Sequence, residues 1–203
     1  MSEEKKKYSF KCYEQSCADR VCCTRDPVTV TFGDIARWTA QNYVQQIFPG
    51  ITLKVPRAEG ERFSLETVRK PLEEDSEETS CIFFVKESNA CAIRYSRPIS
   101  CQTFPLSYSG EKFFVSNSQC SGIGQGEISK EALKELRDLA ENEYCEQLTT
   151  QGTLPGLYSI ILSDMMRQSA EMMKDMKPED REKLEELMKK DDEETQDKSQ
   201  TEE

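Results

Sequence analysis

The chain has 203 residues, nine cysteines, no histidine and a formal net charge of −11. That length suits one ordinary domain with some tail. The missing histidine excludes Ser–His–Asp and Cys–His nucleophile sites and every His-ligated zinc or haem, so a metal would have to sit on thiolates, carboxylates, backbone groups or water.

Only 36% of the residues are hydrophobic and the mean hydropathy is −0.72. A core this small beside so many cysteines implies a fold held partly by metal or disulfide. No apolar segment follows the charged start, and no run approaches the roughly 18 apolar residues of a membrane span. The expected location is the cytoplasm, with no membrane contact. Clustered cysteines there bind metal or do redox work, and an odd number argues against a closed disulfide framework. The acidity is uneven, because residues 171–203 alone carry a net −7. No basic stripe is present, which disfavours nucleic acid as a partner.

In chain order, residues 8–30 hold four cysteines and end in Pro27-Val28-Thr29-Val30, a short strand. Thr31 is positioned as an N-cap with Asp34 completing a capping box. The helix that follows should run to Phe48, before Pro49-Gly50. Its better apolar face is Ala36, Ala40, Tyr43, Val44 and Ile47, opposite Ile35, Trp38, Asn42 and Gln45. Short strands and turns are expected over 51–72, an acidic flexible loop over 73–80, and a strand buried on both faces over 81–85. Residues 112–116 form a further strand candidate.

Ser129 should cap a helix over 129–149, with Leu133, Leu136, Ala140, Tyr144 and Leu148 inward. Pro155 suits the first turn of a second helix over 155–176, in which Leu157, Ile160, Ile161, Met165 and Met172 supply apolar contacts. Pro178 can start a third, highly charged helix to residue 190. The predicted fold is therefore α+β: a small irregular cysteine-rich metal-binding domain with short strands, followed by two or three C-terminal helices. Its parts would be a metal-binding core over 1–126, a helical extension packed on it over 127–190, and a disordered acidic tail over 191–203.

The chemistry lies in the cysteines. Cys12, Cys17, Cys22 and Cys23 form a local group, and Cys81, Cys91, Cys101 and Cys120 are spaced singles. Ligation needs deprotonated sulfur, which a bound cation supplies by lowering the thiol pKa. Neighbouring side chains tend to diverge, so Cys22 and Cys23 are expected to serve two metals or two corners of a cluster. Zinc and iron–sulfur clusters both accept four thiolates, and spacing does not separate them. Tyr95, Phe104, Tyr108, Phe113 and Phe114 could shield a cluster from solvent. Cys145 stands apart as an ordinary buried or half-buried thiol. Gly122-Ile123-Gly124-Gln125-Gly126 loosely imitates a nucleotide-binding turn but lacks the full pattern, and is read as a turn presenting Cys120.

The order Cys-x4-Cys-x4-Cys-Cys, then Cys81-Ile82-Phe83, then Cys91 through Arg97-Pro98 to Cys101 and Phe104-Pro105, then Cys120, resembles the YkgJ-like cysteine-cluster family over residues 8–126. That family is described as a zinc- or iron-chelating domain, and a related domain occurs in the flagellin lysine N-methylase FliB. Gln102 after Cys101 and the x4 gaps depart from the family's common pattern. The resemblance implies Cys12, Cys17, Cys22, Cys23, Cys81, Cys91, Cys101 and Cys120 as metal ligands. Arg97 is expected to pair with a local carboxylate while Pro98 stiffens the loop. The alternative is that Arg97 donates to cluster sulfurs or to an acidic substrate.

Three functions follow. The first is a metalloprotein with an iron–sulfur cluster or zinc on eight thiolates. The second is a lysine N-methyltransferase-like enzyme resembling FliB, for which no catalytic base stands out. The third is a zinc-stapled interaction module whose acidic helical C-terminus meets a protein partner.

Overall fold

The computed structural model describes residues 8–73, 76–177 and 179. The third helix expected from Pro178 and the acidic tail expected over 191–203 lie outside the described residues, apart from residue 179. The chain falls into two compact units, Met1–Pro155 and Gly156–Glu203. Among the described residues, no helix is long and apolar enough to cross a membrane.

The fold is α+β, with antiparallel strands of two to four residues joined by short helices. α1 (Val21–Thr24) precedes β1 (Thr29–Val30). The capping box expected at Thr31 is present: its hydroxyl accepts from the Asp34 amide, and the Asp34 carboxylate accepts from the Thr31 amide. It opens α2 (Phe32–Ala40).

The helix does not run on to Phe48. It stops at Ala40, and α3 (Val44–Ile47) restarts after Asn42, whose φ of 59° lies in the left-handed region. Asparagine tolerates that conformation better than most residues, which makes it the natural place for the break. The inward face also differs from the expected one. Ile47 is buried and Val44 half-buried as expected, but Ala36, Ala40 and Tyr43 are exposed, whereas Trp38 and Asp34 are buried. A polar position leads inward because the buried Asp34 carboxylate is fully used, accepting from Thr31, from Arg37 and from the amide of Ile99. Counting apolar residues alone misses such a face.

β1, β2 (Ile51–Lys54) and β3 (Ser64–Thr67) form one antiparallel sheet in the order β1-β3-β2, with Val30 opposite Leu65 and Ile51 opposite Thr67. Val30, Trp38 and Ile47 make the buried core, against which Ile35, Val44, Ile51, Leu65, Phe83 and Ile93 pack.

Three two-stranded ladders follow. β4 (Arg69–Pro71) pairs with β5 (Thr79–Cys81), β6 (Phe84–Val85) with β7 (Ala90–Cys91), and β8 (Leu106–Tyr108) with β9 (Phe113–Val115). The strand expected over 81–85 is thus two strands separated by a turn, and part of the expected acidic loop is strand β5, with Ser80 fully buried. α4 (Ile99–Thr103) lies between the last two ladders.

The two helices expected on either side of Pro155 are one helix, α5 (Lys130–Asp175), with Pro155 inside it. Proline's fixed φ is compatible with helix, and the ring costs one backbone hydrogen bond that a helix of this length can lose. Ser129 caps it through its hydroxyl, which accepts from the Ala132 amide. Leu133, Leu136, Ala140 and Tyr144 are at least half-buried as expected, but Leu148 is exposed, and Glu143, Thr150 and Leu154 complete the buried face instead. In the second unit Leu157, Ile160, Ile161, Met165 and Met172 are exposed.

Glu143 braces α4, accepting from the Thr103 hydroxyl at 2.5 Å and from Gln147 at 2.8 Å. Burial raises its carboxyl above the ordinary 4.5. The folded chain therefore holds this proton more tightly than the unfolded chain, and stability falls as pH rises from the unfolded value through the raised folded one. Thermal denaturation of Glu143→Gln should show a shallower loss of stability over that window than wild type. Identical slopes in the two proteins would contradict the assignment.

Candidate metal centre

The eight candidate cysteines come from short elements and loops, several of them held by side chains that grip backbone. Cys22 and Cys23 lie in α1. Arg69, opposite Cys81 in the β4–β5 ladder, donates to the carbonyls of Cys23, Thr24 and Arg25 at 3.3, 2.8 and 2.9 Å and to that of Thr79 at 2.7 Å. One guanidinium thus fastens the cysteine pair to the strand that carries Cys81.

Asn89, in the turn before Cys91, plays the same part for Cys17. Its amide nitrogen donates to the carbonyls of Gln15 and Cys17 at 2.8 and 2.9 Å, and its oxygen accepts from Arg20 Nε at 2.7 Å. Helix α2 secures the Cys101 segment. Trp38 donates to the Ser96 carbonyl at 2.6 Å, Arg37 to the Arg97 carbonyl at 2.6 Å, and the Ile99 amide to Asp34 at 2.9 Å.

Cys12 and Cys120 meet through backbone. The Lys11 amide donates to the Gly122 carbonyl at 3.0 Å, and the Gly124 amide to the Ser9 carbonyl at 2.9 Å. The glycine-rich turn is therefore taken up by the chain's own N-terminal segment and presents Cys120. A side chain at Gly122 would strike the Lys11 backbone and the Phe10 ring.

These segments bring the eight thiols into one region. Cys12, Cys17, Cys22, Cys101 and Cys120 line a cavity of about 50 Å³. Cys23, Cys81 and Cys91 are near enough to Cys22 and Cys101 for their charges to be felt. Cys145 is outside the group and exposed on α5, not buried. Among the described residues, no three of these groups are yet close enough to hold one ion, so ligation requires the segments to draw inward.

The Cys22 and Cys23 sulfurs do not diverge, as adjacency suggested, but lie 3.8 Å apart. Four sulfurs at about 2.3 Å from a tetrahedral ion are themselves about 3.8 Å apart, so this pair could share one metal.

The electrostatics divide the thiols. A hydrogen bond from Cys23 and the charges of Arg20, Arg25 and Arg97 pull Cys22 well below the usual thiol range, while Cys23 is pushed up by that same bond and by burial. Burial also raises Cys91 and Cys120, and takes Cys101 up to about 11. A buried thiolate is costly unless a cation sits beside it.

Three cations do sit there, and two of them, Arg20 and Arg25, were not singled out by the spacing of the sequence. Arg20 Nη2, Arg25 Nε and Arg97 Nε are buried without a hydrogen-bond partner. Arg97 has no carboxylate partner among the described residues, contrary to expectation; its side chain lines the thiol cavity. A buried charged donor left unpaired costs about 1–3 kcal/mol. Three such donors around thiols fit a centre that carries negative charge when metal-bound, so the donor set and its surroundings both suit an all-thiolate metal.

Aromatic cover comes from Phe104, Phe10 and Tyr13. Tyr95 is almost fully exposed and Phe114 partly so, while Tyr108 and Phe113 pack on each other with tilted rings.

A family model, CxxCxxCC, described as "Putative zinc- or iron-chelating domain", matches residues 11–121. The match spans more than half of the chain, and the chain belongs to this family. No curated protein and no solved structure matches it.

Asn89→Ala removes three hydrogen bonds that hold the Cys17 loop and Arg20 in place. Chemical denaturation should show a stability loss of about 1–3 kcal/mol. A change below about 0.5 kcal/mol, ordinary for a surface substitution, would show that the loop is held by other means.

Proposed function

We propose that this member of a zinc- or iron-chelating family is a cysteine-cluster metalloprotein that binds iron, as an iron–sulfur cluster, or zinc through the thiolates of Cys12, Cys17, Cys22, Cys23, Cys81, Cys91, Cys101 and Cys120. The observation that carries this reading is one cavity lined by Cys12, Cys17, Cys22, Cys101 and Cys120, with Cys23 3.8 Å from Cys22, beside buried arginine nitrogens that have no hydrogen-bond partner. Both metals accept a tetrahedral set of thiolates, and either would supply the positive charge that keeps the sulfurs deprotonated. The bound metal would tie the N-terminal cysteine loop to the β5, β7 and α4 segments. In a domain with so small an apolar core, that linkage is a large part of its stability. We place the protein in a reducing compartment, the cytoplasm, because ligation needs free thiols.

Anaerobic purification followed by metal analysis and visible absorption tests this directly. Iron with inorganic sulfide and a brown colour selects the cluster; a colourless protein with zinc selects zinc; neither metal at any meaningful occupancy overturns the reading. Cys22→Ser and Cys101→Ser should each lose metal and thermal stability together, while Cys145→Ser should keep both. Full occupancy in both of the first two variants would refute the ligand set.

A further inference from the structure

We propose that Arg20, Arg25 and Arg97 are positioning residues for the metal centre: a set of counter-cations whose spare N–H groups face the thiols and hold the negative charge of the loaded site. This rests on the metal-binding reading above and adds residues to it that are not ligands.

The argument starts from how each guanidinium is used. Arg20 is 7% exposed; its Nε donates to Asn89 at 2.7 Å, which leaves Nη2 buried and unpartnered. Arg25 donates through Nη2 to the Ser100 carbonyl at 2.9 Å and stands 3.9 Å from the Cys101 sulfur, over the Phe104 ring, with Nε left over. Arg97 lines the thiol cavity with Arg20, and its Nε has no partner. In Arg25 the same Nη2 anchors the Ser100 carbonyl and reaches the Cys101 sulfur, while Arg20, on the wall of the thiol cavity, anchors Asn89 through Nε and keeps Nη2 without a partner. Arginine can do both at once because its donors are spread over a rigid plane.

The charges nearby do not satisfy them. Glu14, on the cavity wall, is taken by Arg94 at 2.5 Å. Glu143 is near enough to influence Arg25 but is occupied by Thr103 and Gln147. Asp19 also lines the cavity, and no ion pair joins it to the three arginines among the described residues. What remains within reach is sulfur. Four thiolates on a divalent ion keep a net negative charge, and a guanidinium can donate charge-assisted hydrogen bonds to them. Hydrogen bonds to metal ligands from outside the ligand set are typically worth 10–100-fold in metal affinity.

The test uses the full reduced chain, zinc ions and a competing chelator, with the cobalt-loaded protein for its sulfur-to-metal absorption. Arg97→Gln is the cleanest variant, since its side chain makes no hydrogen bond that anchors a loop. We expect Arg20→Gln, Arg25→Gln and Arg97→Gln each to weaken zinc binding by about tenfold or more and to shift the cobalt–thiolate band. Arg97→Lys should recover most of the loss, and the exposed Arg62→Gln should change nothing. Far-UV circular dichroism of each variant separates loss of affinity from loss of fold. Zinc affinity of Arg97→Gln within twofold of wild type, with an unshifted cobalt band, overturns the inference and leaves the metalloprotein reading standing. A wild-type chain that takes up neither zinc nor cobalt overturns both.

Discussion

A thiolate cannot leave water without a cation beside it, and the arrangement of this protein follows from gathering eight thiols under that constraint. Arg20, Arg25 and Arg97 lower the cost for Cys22, while at Cys101 burial outweighs Arg25 and pushes the thiol the other way. The arginines offset only part of the charge that eight ionised sulfurs would carry. A metal both supplies the rest and gives the sulfurs a reason to approach one another. With metal on these thiolates, as proposed, metal affinity, folding and thiol protonation would be one linked equilibrium.

The scaffold explains how such short elements can be precise enough. Strands of two or three residues cannot fix a site by their own ladders. Instead, long polar side chains lock one loop to the next. Arg69 holds α1 against the Cys81 strand, Asn89 holds the Cys17 loop beside Cys91, and Asp34 with Arg37 and Trp38 holds the segment from Ser96 to Cys101. The apolar cluster around Trp38 lies beside that last segment, to which Trp38 is hydrogen-bonded. Packing thus enters the site indirectly, by making α2 a firm wall from which Asp34 and Trp38 reach out.

Local chemistry was the most legible part of the sequence. The Thr31–Asp34 capping box, the strand at Val30, the strand within 112–116 and the Ser129 cap are readable because each depends on neighbours within a few residues. The separation of Cys145 from the other eight was also visible in spacing. Burial by polar contact was not visible. Asp34 lies inside with the distant Ile99 amide among its donors, and Ser80 is carried inside by the pairing of β5 with β4, so the apolar count chose the wrong face of α2 and made strand β5 part of a loop. The break at Asn42 and the passage of α5 through Pro155 are cases in which tertiary context overrides a local signal. Arg20 and Arg25 carry no motif at all; their part emerges only when the N-terminal loops fold against Asn89 and Ser100. A clue was available in their placement on either side of Cys22-Cys23, two cations flanking the densest pair of thiols.

The most direct measurement of the central claim is residue-resolved alkylation of the native protein, with and without bound metal, read by mass spectrometry. The account requires Cys12, Cys17, Cys22, Cys23, Cys81, Cys91, Cys101 and Cys120 to become protected together when metal is bound, and Cys145 to react at the same rate in both states. Protection of only the local N-terminal group, with Cys81, Cys91, Cys101 and Cys120 reacting as before, would contradict a single centre built from both halves of the motif.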